Sequence, residues 1–334
     1  SHRVMSNVFA SIDLGGTNIH AAFARGDGAV IAEVKEPTRS HEGPEIIVSR
    51  MCGIVARLAE ETGQQPAALG IGVPGLVDVG TGTTRFLPNL PTQWRGVAVR
   101  TMMEQALGFP VQVLNDARTA TLGELVFGHG QSVRDLLFFT LGTGVGGGVV
   151  LDGRLRLGPL NAAGELGHQT VDPHGLPCGC GNRGCLETVA SGPALAAEGV
   201  RLLLSGHARR LHELCGGDLN RVTAATIGQA AREGDEMVGL AIERMGEWIG
   251  IAAANLVSAL HPQMIVLGGG VAQLGEPLMA PVQRTLRSRV GMFPTDDVEV
   301  RASQLGERAG LLGGIALASR GDEFVPQLSN SMPA

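Results

Sequence analysis

The chain has 334 residues, enough for two domains of ordinary size, and 44% of them are hydrophobic, the share of a soluble globular protein. The net charge is −6 with no block of Lys and Arg, which excludes a nucleic-acid-binding surface, and the longest apolar runs are too short or too polar to span a bilayer. The fifty glycines gather in short clusters after apolar runs, the pattern expected where backbone approaches a ligand closely.

In chain order, residues 8–14 read as a buried strand that carries one acidic residue, Asp13, near its end. Gly15-Gly16-Thr17-Asn18 turns the chain, and strands at 19–25 and 29–35 follow, joined by the hairpin turn Gly26-Asp27-Gly28. A helix at 43–62, a strand at 68–73 ending in Pro74-Gly75, a helix at 96–107 and a strand at 111–114 complete a first α/β portion. Asn115-Asp116 stands at the C-terminal end of that last strand, before a helix at 117–127. Polar pairs at strand ends in α/β sheets face ligands. Helix capping accounts for one of the two residues, but not for the pair.

The strand at 136–141 runs into Gly142-Thr143-Gly144-Val145-Gly146-Gly147-Gly148. The spacing matches G-x-G-x-x-G, but a dinucleotide fingerprint needs a helix next, and here a β-branched run predicts a second strand. A glycine-lined hairpin tip offers backbone N–H groups to phosphate oxygens instead. Asp13-Leu14-Gly15-Gly16-Thr17 and Thr140-Leu141-Gly142-Thr143-Gly144 resemble each other, which suggests two related α/β domains that clasp a phosphate chain. The P-loop pattern is absent.

Three of the five cysteines, Cys178, Cys180 and Cys185, share one loop rich in Gly, Asn and Pro, which is not the composition of a core. A disulfide needs an oxidising compartment, and the opening residues carry no secretory signal, so a cytoplasmic protein is expected. Three thiolates and one imidazole make a full tetrahedral zinc set. His168 is the expected fourth ligand and His174 the alternative. Glu165 and Glu187 flank the cluster, and a structural zinc loop has no need of them, so they are candidates to face a ligand. Helical segments fill 192–234, and 235–260 is the clearest helix, with apolar residues every three or four positions, stopped by His261-Pro262. A buried strand at 264–267 ends in Gly268-Gly269-Gly270, a cluster suited to a flat base lying against backbone. A helix at 276–290, a strand at 298–301 and a helix at 310–320 follow, and 321–334 reads as a polar, frayed end.

Together these motifs, with Gly72-Val73-Pro74-Gly75 and Glu165-Leu166-Gly167-His168, resemble the ROK family (repressor, open reading frame, kinase), and the resemblance covers about 9–319. Among its members the glucokinases are the most similar. The resemblance implies an α/β, two-domain actin-like ATPase (sugar kinase) fold with a cleft between the domains and a zinc loop. It implies a small N-terminal domain at 5–117, a large domain at 118–305, a C-terminal helix at about 306–320 that packs back on the first domain, and a flexible tail at 321–334. It places the catalytic base on Asp116 and the sugar contacts on Asn115, Asp116, Glu165, His168 and Glu187. The zinc ligands fall on His168, Cys178, Cys180 and Cys185. The nucleotide falls on Gly15-Gly16-Thr17, Gly142-Thr143-Gly144 and Gly268-Gly269-Gly270, with Asp13 where magnesium approaches. ATP, Mg²⁺ and Zn²⁺ are the implied cofactors.

The implied reaction is phosphorylation of a hexose, glucose first, with mannose, fructose, N-acetylglucosamine and N-acetylmannosamine as alternatives. Two departures from the family pattern are Asn18, where many of its kinases carry Lys, and Arg118-Thr119, where small or amide residues are usual. A sugar-binding repressor would carry an N-terminal helix-turn-helix, and the first strand opens too early for one here. A catalytically dead sugar sensor would not need Asp116. A homodimer or homotetramer is expected, since closed symmetric assemblies are the default. The nucleotide turns lie on other segments than the metal loop, so loss of the metal is expected to weaken sugar binding and spare ATP.

Overall fold

The computed structural model describes residues 7–87 and 90–329. The elements in order are β1 (Val8–Leu14), β2 (Asn18–Arg25), β3 (Val30–Pro37), α1 (Pro44–Thr62), β4 (Leu69–Val73), β5 (Leu76–Asp78), β6 (Thr83–Phe86), α2 (Val99–Leu107), β7 (Val111–Asn115) and α3 (Asp116–Phe127). Then come β8 (Leu136–Leu141), β9 (Val145–Leu151), β10 (Arg154–Leu155), α4 (Glu187–Ala190), α5 (Gly192–Leu204), α6 (Arg209–Cys215), α7 (Ala224–Arg232) and α8 (Glu236–Leu260). The last are β11 (Met264–Gly268), α9 (Glu276–Arg289), β12 (Glu299–Ala302), α10 (Ala309–Phe324) and α11 (Pro326–Ser329). The chain divides into two compact units. One holds the described residues through Asp135, Gly148–Gly164 and those from Glu307 on; the other holds Leu136–Gly147 and Glu165–Gly306.

The first unit is built on a sheet of order β3-β2-β1-β4-β7. β1 pairs antiparallel with β2 and parallel with β4, and β4 runs parallel to β7. Every residue of β1 and β4 is buried apart from the half-buried Asp13, as continuous apolar runs in the middle of a sheet require. β3 alternates between half-buried and exposed positions, as an edge strand does. Helix α10 packs on β1, β4 and α3, and it does so backbone to backbone. A Cβ on Gly70 of β4 would stand 2.0 Å from the Gly314 carbonyl oxygen. A Cβ on Gly123 of α3 would stand 2.3 Å from the Ala309 oxygen, and one on Gly313 1.7 Å from the Thr119 oxygen. Glycine on each surface is what lets these elements come so close.

The second sheet has the order β10-β9-β8-β11-β12, with β8, β11 and β12 parallel. The long helix α8 starts on Asp235, whose side chain accepts from the Val238 amide. It stops at His261, which is left-handed at φ 44° and precedes Pro262. Helix α9 packs on α8 where Gly246 faces Pro281 and Gly250 faces Thr285. Among the described residues no helix is long and apolar enough to cross a membrane.

Two sequence expectations are corrected and one pair of elements was missed. The expected helix at 96–107 begins only at Val99. The strands β5 and β6 form a two-stranded sheet that composition did not announce, because each is only three or four residues long. The expected frayed tail is folded as far as 329: α10 runs to Phe324, and Val325 and Leu328 are buried, Leu328 against Gly321. Two apolar side chains suffice to dock this short end, and they were hidden among polar neighbours. Residues 330–334 lie outside the described residues.

Two glycine substitutions should move stability in opposite directions. Gly70→Ala forces β4 away from α10 and should cost about 1–3 kcal/mol or more, the scale of overpacking in a tight core. Gly53 lies inside α1 with open space where its Cβ would be, so Gly53→Ala should stabilise by up to about 1 kcal/mol. Chemical denaturation of both variants checks the pair, and equal effects would refute the close-packing account.

Candidate active site and metal centre

The first unit gathers Asp13, Gly15-Gly16-Thr17, Asn115 and Asp116. The turn after β1 is closed by the Gly15 amide donating to the Asn18 carbonyl at 2.9 Å. Thr38, fully buried, braces it twice: its amide donates to the Thr17 carbonyl at 2.8 Å and its hydroxyl to the Gly15 carbonyl at 2.7 Å. Nothing in the sequence marked Thr38, since a lone Thr after an edge strand has no distinguishing pattern. Asp13, next to last in β1, lies beside the first turn of α10, where a Cβ on Gly310 would meet its Oδ2 at 2.9 Å. Burial of the carboxyl pushes Asp13 up to about 7, the charge of Asp116 adds to the rise, and the Lys35 ammonium opposes it.

Asn115 closes β7 and also caps α3, its Oδ1 accepting from the Arg118 amide at 3.1 Å. Its Nδ2 donates to the Gly75 carbonyl at 3.0 Å, which explains why Pro74-Gly75 matters to the site. Asp116 is the first residue of α3, and its Oδ1 accepts from the Ala117 amide at 2.8 Å. Gly72 lies under it, with room for a Cβ only 3.3 Å from the Asp116 Cα. Arg118, one of the two departures from the family pattern, is buried and fully engaged. Nη1 donates to Asn115 Oδ1 at 3.0 Å, Nε to the Ala163 carbonyl at 3.0 Å and Nη2 to the Ala162 carbonyl at 3.1 Å. It therefore ties Asn115 to the loop before Gly164. Sequence reasoning singled out Arg118 as unusual and missed this bracing, because two of its partners, the Ala162 and Ala163 carbonyls, are backbone atoms far along the chain.

The second unit gathers Gly142-Thr143-Gly144, Glu165, His168, the three loop cysteines, Glu187 and Gly268-Gly269-Gly270. A strand, β9, follows the glycine turn, as the β-branched run predicted. The Gly142 amide donates to the Gly144 carbonyl at 2.9 Å, and open space surrounds Gly142 where a Cβ would be. Gly269, at φ 84°, presses on the end of β8, where a Cβ would meet the Leu141 carbonyl oxygen at 2.4 Å. The second and third glycine clusters thus differ, with open space at Gly142 and tight packing at Gly269.

The metal loop folds on two left-handed glycines, Gly181 at φ 93° and Gly184 at φ 69°. Gly184 is irreplaceable sterically as well, since a Cβ would fall 1.5 Å from the Asp172 carbonyl oxygen. One donor atom each from His168, Cys178, Cys180 and Cys185 lie within 4.8 Å of one another. His168 is in the cluster and His174, whose amide donates to Asp172 instead, is not. Sulfurs on a common tetrahedral zinc at ~2.3 Å stand about 3.8 Å apart, and a sulfur and an imidazole nitrogen about 3.6 Å. The Cys180 and Cys185 Sγ atoms are 3.7 Å apart, and Cys178 Sγ is 3.6 Å from His168 Nδ1. The donor set therefore fits a tetrahedral ion, with Nδ1 as the histidine ligand. Nε2 is left facing Glu165 at 4.0 Å. Burial and the neighbouring thiols push the Cys185 thiol up to about 12, while the Asn182 amide draws Cys180 down. A bound cation would ionise the set outright.

Glu187 follows the last cysteine by two residues and does more than flank the cluster. Its Oε2 accepts from the Val145 amide at 2.8 Å. The Gly192 amide then donates to the Gly142 carbonyl at 2.7 Å. The metal loop and the glycine turn, far apart in sequence, are held together at two points.

The ROK family model matches residues 9–321. The chain belongs to the ROK family. It is 34% identical over 313 residues to a glucokinase of Halalkalibacterium halodurans, covering 92% of this chain and 93% of that protein. It is 32% identical over 309 residues to a xylose repressor of Caldicellulosiruptor bescii, covering 92% of this chain and 76% of that one. The fold matches the crystal structure of a ROK family glucokinase from Streptomyces griseus in complex with glucose and AMPPNP, with a TM-score of 0.83 and 36% identity over 94% of this chain and all of that one. The mixed α/β architecture expected from the sequence is thus that of ROK sugar kinases.

The raised Asp13 makes a pH prediction. In the unfolded chain the acid has released its proton above 3.8, whereas the folded protein holds it up to about 7. The folded state binds more protons across that interval, so this group lowers stability as pH rises through it, and fully so above about 7. The thermal-midpoint gain of Asp13→Asn over the parent should therefore grow from about pH 5 to about pH 7.5. A gain that shrinks over that range would show that Asp13 is not buried as a proton holder.

Proposed function

We propose that the protein is an ATP-dependent hexose kinase that phosphorylates glucose at its 6-hydroxyl. The observation that carries the reading is the pair of carboxylates, Asp13 and Asp116, at the C-terminal ends of the parallel strands β1 and β7, near enough that the charge of one raises the other. Ligands of α/β sheets bind at such strand ends. The similarity to a glucokinase seen with glucose and AMPPNP supports both the acceptor and the donor.

A sugar hydroxyl attacks poorly until a base takes its proton, and Asp116 is the residue assigned to accept it. The Ala117 amide and the first turn of α3 hold that carboxylate in place. Asn115, Glu165, His168 and Glu187 hydrogen-bond the remaining hydroxyls, and His168 does so from Nε2 while Nδ1 faces the metal. The backbone amides of Gly15-Gly16-Thr17 and Gly142-Thr143-Gly144 take phosphate oxygens, and Gly268-Gly269-Gly270 lies against the base. Two oxygen-bearing side chains this close suit a hard cation, and Mg²⁺ bound with ATP supplies charge neutralisation on the transferred group. His168, Cys178, Cys180 and Cys185 hold zinc, which fixes the His168 ring.

A panel of hexoses assayed with ATP and Mg²⁺ tests the reading, and glucose should be turned over fastest. Asp116→Asn should lower kcat at least ~100-fold, the ordinary size of general-base effects, while sugar affinity persists because an amide still accepts a hydrogen bond. Near-normal turnover in this variant would remove Asp116 from the mechanism.

The metal reading has its own check. Elemental analysis should find about one zinc per chain, lost in Cys180→Ser, and sugar affinity should fall about 10- to 100-fold with it. Normal sugar binding by folded, zinc-free protein would reduce the metal to a staple.

A further inference from the structure

The segment from Cys185 to Gly192 carries a metal ligand at one end and grips the glycine turn at two later points. Cys185 belongs to the four-residue donor cluster. Two residues on, Glu187 Oε2 accepts the Val145 amide at 2.8 Å. Five further on, the Gly192 amide donates to the Gly142 carbonyl at 2.7 Å. Between them α4 makes one helical turn, anchored by the Thr188 hydroxyl donating to the Cys185 carbonyl at 2.7 Å. The turn itself shows the fit. A Cβ on Gly144 would stand 2.4 Å from Glu187 Oε2 and 4.0 Å from Oε1. Gly144 has no positive φ to explain it. Its missing side chain is the space the carboxylate occupies.

A carboxylate beside a turn assigned to phosphate is a paradox on charge alone. It repels the ligand, and its removal should strengthen binding. The bond to Val145 supplies the opposite effect, since it fixes the amides that would meet the phosphate oxygens. We propose that Glu187 is a positioning residue for the Gly142–Val145 turn: its carboxylate clamps the turn through the Val145 amide, so that nucleotide affinity depends on the metal-held segment. The proposal rests on the reading that this turn takes phosphate. It replaces the expectation that the nucleotide site is independent of the metal loop.

The two effects differ in sign, and substitutions at one position separate them. Glu187→Ala removes both the charge and the acceptor. Glu187→Gln removes the charge and keeps an oxygen that can accept from Val145. Calorimetry with AMPPNP and Mg²⁺, in the absence of sugar, should show affinity about 10-fold or more weaker in Glu187→Ala, the scale of losing a hydrogen bond to a charged group, and unchanged or tighter in Glu187→Gln. Gly144→Ala, which displaces the carboxylate without deleting it, should reproduce the Glu187→Ala loss.

Hydrogen exchange on the ligand-free protein provides the second readout. The Val145 amide should exchange faster in Glu187→Ala and Gly144→Ala and remain protected in Glu187→Gln. Unchanged or tighter nucleotide binding by Glu187→Ala overturns the proposal, as does an equal loss in folded Glu187→Ala and Glu187→Gln. Should the parent protein bind no nucleotide, the kinase reading fails. The exchange pattern would then still decide whether Glu187 clamps the turn.

Discussion

Helix α10 reaches the sheet only because glycine stands on both sides of the contact. Gly70 on β4 faces Gly314, and Gly123 on α3 faces the first residue of α10. These contacts fix α3, and α3 begins with Asp116. They also set the first turn of α10 against Asp13. Asp13 and Asp116 are thus placed by backbone contact across a layer of missing side chains, with the Ala117 amide adding a hydrogen bond to Asp116. The cost is local: Asp13 is held where its charge is poorly solvated, and its proton affinity rises accordingly. Strained electrostatics of this kind gather at functional positions, where the rest of the fold supplies the compensation.

The second unit solves a different problem, that of ordering a loop with almost no apolar side chains. Between Gly175 and Gly184 only Leu176 is a large hydrophobe, and it is exposed. A loop of that composition cannot order itself by burial. Four donor atoms converging within 4.8 Å offer a substitute for a core. What the loop then holds is Cys185 and, through it, the start of α4 and α5. A metal held there would act as a small cross-link, extended by a short run of backbone into a region that has no donor of its own.

The chain's legibility in sequence followed from the physics of each part. Strands β1, β4 and β8 were readable because a strand buried on both faces must be apolar throughout. Helix α8 was readable because its apolar residues keep one face. The cysteine cluster was readable because thiols at that spacing have few other uses, and the ring that joins it is His168, the expected one, although His174 lies nearer in sequence, because backbone turns and not sequence distance decide which ring arrives. Thr38, Arg118 and the clamp on Val145 were illegible for one reason: each bonds to backbone, and a backbone acceptor has no residue type to announce it. Strands β5 and β6 failed for want of length, and the docking of Val325 and Leu328 for want of repetition.

The amide of Asn115 carries a polarity that its neighbours impose. Two donors from Arg118, the backbone N–H and Nη1, meet its oxygen, so the oxygen side of the group is assigned without ambiguity. The nitrogen gives one hydrogen to Gly75 and retains one. The Asn115 amide can then only give a hydrogen bond from its nitrogen. A group meeting that nitrogen with a lone pair would satisfy a buried donor, whereas an N–H or a bare methyl group would leave it unsatisfied. Arg118, itself buried, therefore sets the direction in which this amide can bond.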